Sequence, residues 1–370
     1  MQRGPIVEIN LDSISHNLKV VRQLTSNKPI IAVVKADAYG HGDVYVSRRL
    51  VKEGVECLAV AFSGEAERLR ASGINIPILV LFDSDIEDIF KYDLIPAIGN
   101  KKIAKALSRE AVRKGKKIPV HIKVDTGMGR TGFFGDNIAN DILEIANLKG
   151  INIEGIFSHF SDIDIDDLTY AKSQIERFHI IKKKLQSSGL KINFYHMANS
   201  AAIATLPESY LNAVRPGLIL YGYTSMKKSR NNDNTELDLK PAMSVKTNIL
   251  ELRRIPAKTS ISYGRTFITR RDSLIGVIPV GYADGLLRSL SNRGEVIVND
   301  NFAPIVGRIC MDVAMIDLTE VKGVKEGDEV ILLGKQKNKI IDAYKLSFQA
   351  DTIPYEILTS FGIKGNRVYI

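Results

Sequence analysis

The chain predicts an α/β fold: a (β/α)8 TIM barrel followed by a mostly antiparallel β domain. Eight short apolar runs alternate with helical patterns as far as Arg215. A polar stretch rich in Asn and Asp, TSMKKSRNNDNTELDLKP, then interrupts the alternation. Beyond it the chain is β-rich with short turns. Residues 1–230 are accordingly assigned to the barrel and 231–370 to the β domain. An open doubly wound sheet is the alternative for the first part, and strand periodicity does not separate the two.

The candidate barrel strands are Pro29–Val34, Cys57–Ala61, Ile78–Phe82, Leu94–Ile98, Val120–Val124, Ile153–Ser158, Ile192–His196 and Asn212–Arg215. Most are short runs enriched in Ile, Val and Leu, as a strand buried on both faces requires. Helical patterns with charged faces lie between them at Asp43–Glu53, Ser63–Ala71, Lys102–Lys114, Ile138–Ala146 and Ile175–Gln186. Gly54, Gly73, Gly115 and Gly189 stand where helix C-caps belong. In the second part, strands are expected at Ala242–Leu252, Leu274–Val280, Glu295–Val298, Ala303–Leu318 and Glu329–Leu333. A helix is expected from Ala343 toward Phe361, interrupted at Pro354.

Composition narrows the class. Hydrophobic residues make up 45% and charged residues 25%, as in soluble globular proteins. No apolar run approaches the ~20 residues of a membrane helix. The N-terminus carries Glu8 and Asp12 and has no long apolar segment, which reads as a cytoplasmic protein without a secretory signal. Cys57 and Cys310 read as small buried hydrophobes in a reducing compartment. No CxxC or HExxH occurs, so no metal is expected. The net charge of +9 comes from short basic groups such as Lys182–Lys184, without the aromatic interleaving of nucleic-acid binders.

The chemistry is read from polar residues at strand ends. Lys35 closes the apolar run Pro29–Val34. A desolvated amine there has a lowered pKa and an available lone pair, which suits Schiff-base formation. Taken alone, it fits better a lysine leaving its strand for solvent. Arg130 follows the fifth candidate strand, His159 the sixth, Asn199 and Ser200 the seventh, and Arg215 and Gly217 the eighth. In a barrel those ends meet on one face. Ser200 and Gly217 suit a phosphate, and Tyr39 adds a phenol donor. A lysine and a phosphate site on one face suggest pyridoxal 5'-phosphate (PLP). Each residue also has a plainer reading. Ser200 suits a helix N-cap, Arg130 a turn cap, His159 a core histidine, and Lys123 a partner for Asp125. Tyr263 suits a rim aromatic, Met311 core packing, and Asp312 a turn start inside an apolar strand run.

The motifs VVKADAYGHG, HIKVDTGMGRTGF, HMANSAA, VRPGLILYG, SYGRT, GYADG and GRICMD, in this order, resemble alanine racemase nearly end to end. The resemblance implies a PLP-dependent isomerase that interconverts L- and D-alanine by a two-base mechanism and supplies D-alanine for peptidoglycan. It implies a head-to-tail homodimer with shared active sites, and first residues that pack with the C-terminal domain. By matching motif, Lys35 would carry PLP as a Schiff base, and Tyr263 from the other subunit would be the second acid/base. Arg215 would face the pyridine nitrogen with His159 behind it, and Arg130 would contact the phenolic oxygen. Lys123 matches a lysine that is often carbamylated and orients that arginine. Tyr39, Ser200, Gly217, Leu218 and Tyr355 would surround the phosphate, with Asn199 adjacent. Met311 and Asp312 would lie near the substrate carboxylate. Tyr282, Asp164, Arg288 and Arg308 would line the entrance.

These residue types suit racemisation. A proton must leave Cα on one face and return on the other, so two acid/base groups are needed. Tyr263 needs nearby positive charge to act as a base, and Arg265 is a candidate source. Arg215 cannot accept a proton, so the pyridine ring stays neutral and competing PLP reactions are suppressed. Competing readings are a racemase for serine, lysine or a broader amino-acid set, a PLP decarboxylase of the same two-domain plan, and a non-catalytic PLP carrier. Arg215 argues against the decarboxylase, and the β domain bearing Tyr263 argues against the carrier.

Overall fold

The computed structural model describes residues 4–83, 85–163, 165, 167–224 and 237–370. It forms two compact units. One comprises Ser15–Ala36 and Asp43–Leu239, the other Met1–Ile14, Asp37–Gly42 and Lys240–Ile370. The polar stretch of the sequence falls largely outside the described residues.

Strand β1 (Ile6–Ile9) precedes the barrel strands β2 (Ile31–Val33), β3 (Cys57–Val60), β4 (Ile78–Val80), β5 (Ile95–Ile98), β6 (Ile118–Lys123), β7 (Ile151–Phe157) and β8 (Phe194–His196). Strands β2 to β8 pair in parallel, in chain order. Helices separate them at Asp43–Lys52, Ser63–Ala71, Ile86–Lys91, Lys101–Arg113, Ile138–Ala146 and Thr169–Ser187. Gly54, Gly73, Gly115 and Gly189 all take positive φ after helices, as a left-handed C-cap requires. The Asn100 side chain accepts from the Ile103 N–H and starts the Lys101–Arg113 helix. Leu58, Leu79, Val80, Val120, Ile122 and Ile156 are fully or almost fully buried, the mark of a sheet covered on both faces.

The eighth strand differs from the expectation. Residues Asn212–Arg215 form no named strand. They close the sheet through parallel bridges, Ala213 to His196 and Val214 to Ile30. At one end the Asn212 N–H donates to the Tyr195 carbonyl at 3.3 Å and its side chain adds to the ladder. Asn212 Oδ1 accepts the Tyr195 N–H at 2.6 Å, and its amide donates to the Asn193 carbonyl at 2.8 Å. At the other end Pro216 lacks an N–H and can only accept, from Val33.

After β2 the chain enters an unusual turn. Ala36, Asp37, Ala38 and Tyr39 take φ of +52°, +54°, +53° and +55°. Left-handed helical backbone costs about 1–2 kcal/mol per L-residue, so this segment persists only where its surroundings hold it.

In the other unit the strands are β9 (Met243–Asn248), β10 (Glu251–Ile255), β11 (Ser260–Ile261), β12 (Phe267–Ile268), β13 (Ser273–Ile278), β14 (Glu295–Val298), β15 (Asn301–Pro304), β16 (Ala314–Asp317), β17 (Glu329–Gln336), β18 (Lys339–Ile341) and β19 (Asn366–Tyr369). The main sheet runs β15-β14-β17-β9-β1-β19, with β18 on β17. The N-terminal strand β1 thus lies antiparallel to β9 and parallel to β19, the packing the resemblance implied. Strands β10, β13 and β16 make a second sheet, over which Ile261, Ile275 and Val306 cluster with Phe267 and Met315. Helices Ala343–Ala350 and Pro354–Lys364 complete the unit, and Pro354 opens the second of them.

Two expected strands are each divided. Ala242–Leu252 breaks at Ile249 and Leu250, whose N–H groups turn to the carbonyls of Asp328, just before β17, and Val277 on β13. Ala303–Leu318 breaks at a loop that begins near Gly307, where φ is +74°. Asp312 therefore lies exposed on a loop rather than inside an apolar strand. Cys57 is buried as expected, whereas Cys310 sits on that loop and is only half-buried, its thiol 3.6 Å from Ser262 Oγ. Among the described residues no helix is long and apolar enough to cross a membrane.

Candidate active site

The barrel unit gathers cations at its strand ends. Burial lowers the Lys35 pKa first, the Arg130 and Arg215 charges lower it further, and Glu65 opposes them. One aromatic ring anchors the group. The Lys35 Nζ lies 5.9 Å, the Lys123 Nζ 4.6 Å and the Arg130 Cζ 5.0 Å from the Phe82 ring centroid. The ring's negative face attracts each cation without neutralising it. Lys123 is only 5% exposed, and burial together with Arg130 and Arg215 pushes its pKa down to about 8. Among the described residues, no carboxylate forms an ion pair with Lys35, Lys123 or Arg130.

The reason is visible in the TGMGR loop. Asp125 turns its carboxylate to the backbone. Oδ1 accepts from the N–H groups of Gly127, Met128 and Gly129, and Oδ2 accepts from Arg130. Those bonds lower its pKa against the cost of burial. The Arg130 backbone thus closes the turn while its guanidinium faces Phe82. The Lys123 amine donates to Thr131 Oγ1 and does not pair with Asp125.

Arg215 is 4% exposed and sits in a frame of acceptors. Its Nη2 donates to the carbonyls of Ser158 (2.8 Å) and Met197 (3.3 Å), and its Nη1 to that of His196 (3.1 Å). Nη2 also lies 3.2 Å from His159 Nδ1, so the expected neighbour is present. Nη1 lies 2.7 Å from His196 Nδ1. A guanidinium can only donate, so His196 Nδ1 must accept and its proton resides on Nε2. That nitrogen then donates to His121 Nδ1 at 2.9 Å. Burial and the Arg215 charge hold the pKa of His121 down to about 3 and that of His196 well below normal, so both rings are neutral. His159 is also lowered, by burial first and Arg215 second.

Ser200 and Gly217 meet as expected. Ser200 Oγ accepts the N–H groups of Gly217 (2.9 Å) and Ile219 (3.2 Å). Both of its lone pairs are engaged, which leaves its own proton to donate. The helix N-cap is Asn199 rather than Ser200, since Asn199 Oδ1 accepts the Ala202 N–H at 3.0 Å. Leu218 is fully buried at the start of the following turn.

The β-domain unit holds the other candidates. Tyr39 and Tyr355 place their rings 5.8 Å apart. Tyr263 is 70% exposed, on a turn where Ser262, Gly264 and Arg265 all have positive φ. It borders a cavity of about 600 Å3 shared with Ser262, Ile275, Cys310 and Met315. The Arg308 guanidinium lies over Gly264, where a Cβ would stand 3.2 Å from its Cζ. The GYADG and GRICMD motifs interlock. The Tyr282 N–H donates to the Cys310 carbonyl and the Ala283 N–H to that of Met311. A Cβ on Gly281 would lie 2.1 Å from the Met311 carbonyl oxygen, so only glycine permits this approach. Met311 is 54% exposed, Asp312 is exposed beside it, and Arg288 opens a short turn at Arg288–Leu290. Asp164 lies outside the described residues.

Four residues at the barrel site escaped the sequence reading: Phe82, Glu65, His121 and His196. Histidines inside the strand runs IPVHIKV and NFYHMA are polar anomalies that pattern could have flagged. Phe82 carries no such signal, because an aromatic at a strand end reads as core.

Comparison with known proteins follows the same two parts. The alanine racemase N-terminal domain family matches residues 9–225 and the C-terminal domain family matches residues 242–369. An alanine racemase of Thermodesulfovibrio yellowstonii is 48% identical over 374 aligned positions, covering 100% of this chain and 99% of that one. The solved alanine racemase of Clostridium difficile 630 superposes with a TM-score of 0.92 at 35% identity, covering 100% and 96% of the two chains. That of Bartonella henselae, described with covalently bound pyridoxal phosphate, superposes with a TM-score of 0.88 at 30% identity over 100% of both chains. The chain belongs to the alanine racemase family of isomerase enzymes.

Proposed function

We propose that this chain racemises alanine with PLP held on Lys35. The observation that carries the reading is a buried lysine amine, depressed by burial and by two guanidiniums, in a cluster where, among the described residues, no carboxylate forms an ion pair with Lys35, Lys123 or Arg130. Such a cluster suits a cofactor bearing a phosphate and a phenolate. The Bartonella henselae relative named above supports the same choice.

When bound, PLP supplies an electron sink that acidifies the Cα proton of an amino acid joined to it. Lys35 provides the attachment amine and, once displaced by substrate, a base on one face. Tyr263 of the partner subunit provides the group on the opposite face. The high exposure of Tyr263 and Met311 in the single chain supports a site completed by a second copy in a homodimer. Arg215 would stand at the ring nitrogen. With its Nη groups held by carbonyls and histidines and its charge permanent, it would keep that nitrogen unprotonated. Arg130 would hold the phenolic oxygen, steadied by Lys123. A carbamate on Lys123 fits an amine with a pKa near 8, because the neutral form is the one that attacks carbon dioxide.

The Ser200 hydroxyl, with its lone pairs occupied, would donate to the phosphate alongside Gly217, Leu218, Tyr39 and Tyr355, and Asn199 would fix the helix start beneath it. The partner's Met311, through its backbone N–H, and the partner's Asp312 would lie near the substrate carboxylate, and Tyr282, Asp164, Arg288 and Arg308 would line the approach. The product would serve peptidoglycan assembly from the cytoplasm.

The test is incubation with L-alanine in deuterated water, followed by chiral separation and mass analysis. D-alanine carrying deuterium at Cα is expected. A protein that binds PLP yet leaves alanine unexchanged, or that exchanges only serine, would overturn the alanine assignment.

A further inference from the structure

The left-handed turn between Lys35 and Gly40 is moulded by the C-terminal end of the chain. Four L-residues in succession hold φ between +52° and +55°, followed by Gly40 at +83° and Gly42 at +89°. Internal bonds close it: the His41 N–H donates to the Ala38 carbonyl at 3.0 Å and the Gly42 N–H to the Asp37 carbonyl at 2.9 Å. The His41 ring Nδ1 also lies 3.1 Å from the Ala38 carbonyl and 3.0 Å from that of Tyr39, and because left-handed backbone costs about 1–2 kcal/mol per L-residue, contacts from outside the turn add to its support.

The Ala36 N–H donates to Glu65 Oε1 at 2.6 Å, and further contacts come from residues 354–370. Arg367 Nη1 donates to the Asp37 carboxylate and, at 3.4 Å, to the Gly40 carbonyl. A Cβ on Gly362 would stand 2.0 Å from the Gly40 oxygen, and one on Gly40 would stand 2.6 Å from the Leu358 oxygen. A Cβ on Gly42 would stand 1.9 Å from the Tyr369 hydroxyl. Helix Pro354–Lys364 also carries Tyr355, whose ring meets that of Tyr39 at the end of the turn.

We propose that Arg367 is a positioning residue: by gripping Asp37 and Gly40 it holds the left-handed turn that follows Lys35 in the chain and places the Tyr39 ring against that of Tyr355. The role in cofactor attachment rests on the PLP reading above; the grip on the turn does not.

The experiment compares the full-length protein with Arg367→Met and Arg367→Lys, with Asp37→Asn as a second way to break the pair should Arg367→Met fail to fold. Amide hydrogen exchange is followed at His41 and Gly42, with Leu11 and Ile370 as controls. The Leu11 N–H donates to the Ile370 carbonyl and the Ile370 N–H to Ile9, so they report fraying of β19. We expect His41 and Gly42 to exchange about tenfold faster or more in Arg367→Met while the controls hold, and Arg367→Lys to recover part of the protection. Borohydride-trapped PLP on Lys35, measured at limiting PLP by peptide mass, falls in parallel. Unchanged exchange at His41 and Gly42 overturns the proposal. So does equal acceleration at Leu11 and Ile370, which would make Arg367 a strand residue only. No trapped PLP in any form, with the exchange difference present, would instead remove the cofactor reading.

Discussion

Lys123 gives a measurable link between burial and stability. Its side chain is 5% exposed and its pKa is pushed from an ordinary 10.5 down to about 8 by burial, Arg130 and Arg215. Between pH 8 and 10.5 the unfolded chain keeps a proton that the folded chain has shed, so wild-type stability rises with pH across that window. Below pH 8 both states are protonated and the whole penalty is present; above 10.5 both are neutral and it is gone. The shift corresponds to about 3 kcal/mol at ~1.36 kcal/mol per unit. Lys123→Met removes the amine while keeping length. Urea unfolding of both proteins in carbon-dioxide-free buffer at pH 7 and pH 10.5 checks the argument. The stability advantage of the variant should be about 3 kcal/mol larger at the lower pH. A gap that stays constant with pH refutes the electrostatic account. Added bicarbonate tests the modification. At pH 7.4 about one amine in five is neutral, against about one in a thousand for an ordinary lysine. Carbamate formation, in which the amine bonds to carbon dioxide and releases one proton, should stabilise wild type and leave Lys123→Met unchanged.

Gly155→Ala would drive a Cβ to 2.6 Å from the His121 ring, so it should cost about 1–3 kcal/mol in urea unfolding and displace His121 from His196 in histidine 15N spectra. Asn199→Ala removes the helix cap and should cost about 1 kcal/mol, read from the same unfolding curves, with the Ser200 contacts intact. Arg215→Glu exchanges a permanent donor for a group that can accept the ring proton. The ratio of pyruvate to D-alanine formed from L-alanine should then rise, and an unchanged ratio would remove the role given to Arg215. That ratio does not depend on how much of the variant folds.

Local pattern by itself determined most of the elements. The Ser63–Ala71 and Ile138–Ala146 helices appear at their expected ends. The glycines after the helices adopt the left-handed caps their type favours, and Pro354 opens a helix as its ring dictates. These follow from interactions between near neighbours in the chain, so a short window of sequence contains them. Lys35, Arg130, His159, Ser200 and Arg215 were legible as strand-end anomalies for the same reason.

Tertiary structure alone decided the pairings. Nothing local turns the Lys123 amine to Thr131 Oγ1 under the Phe82 ring. No periodicity predicts that the Asn212 amide reinforces the barrel closure, or that Asp312 leaves the sheet on a loop. Phe82 becomes a platform for three cations, and His196 takes one tautomer, only because distant strands bring an arginine and a second histidine within hydrogen-bond reach. Hydrogen bonds and desolvation act over a few ångströms of space, and the fold sets those distances between residues far apart in sequence. The turn that follows Lys35 is the clearest case: four left-handed L-residues oppose every local preference and are held by chain from the far terminus.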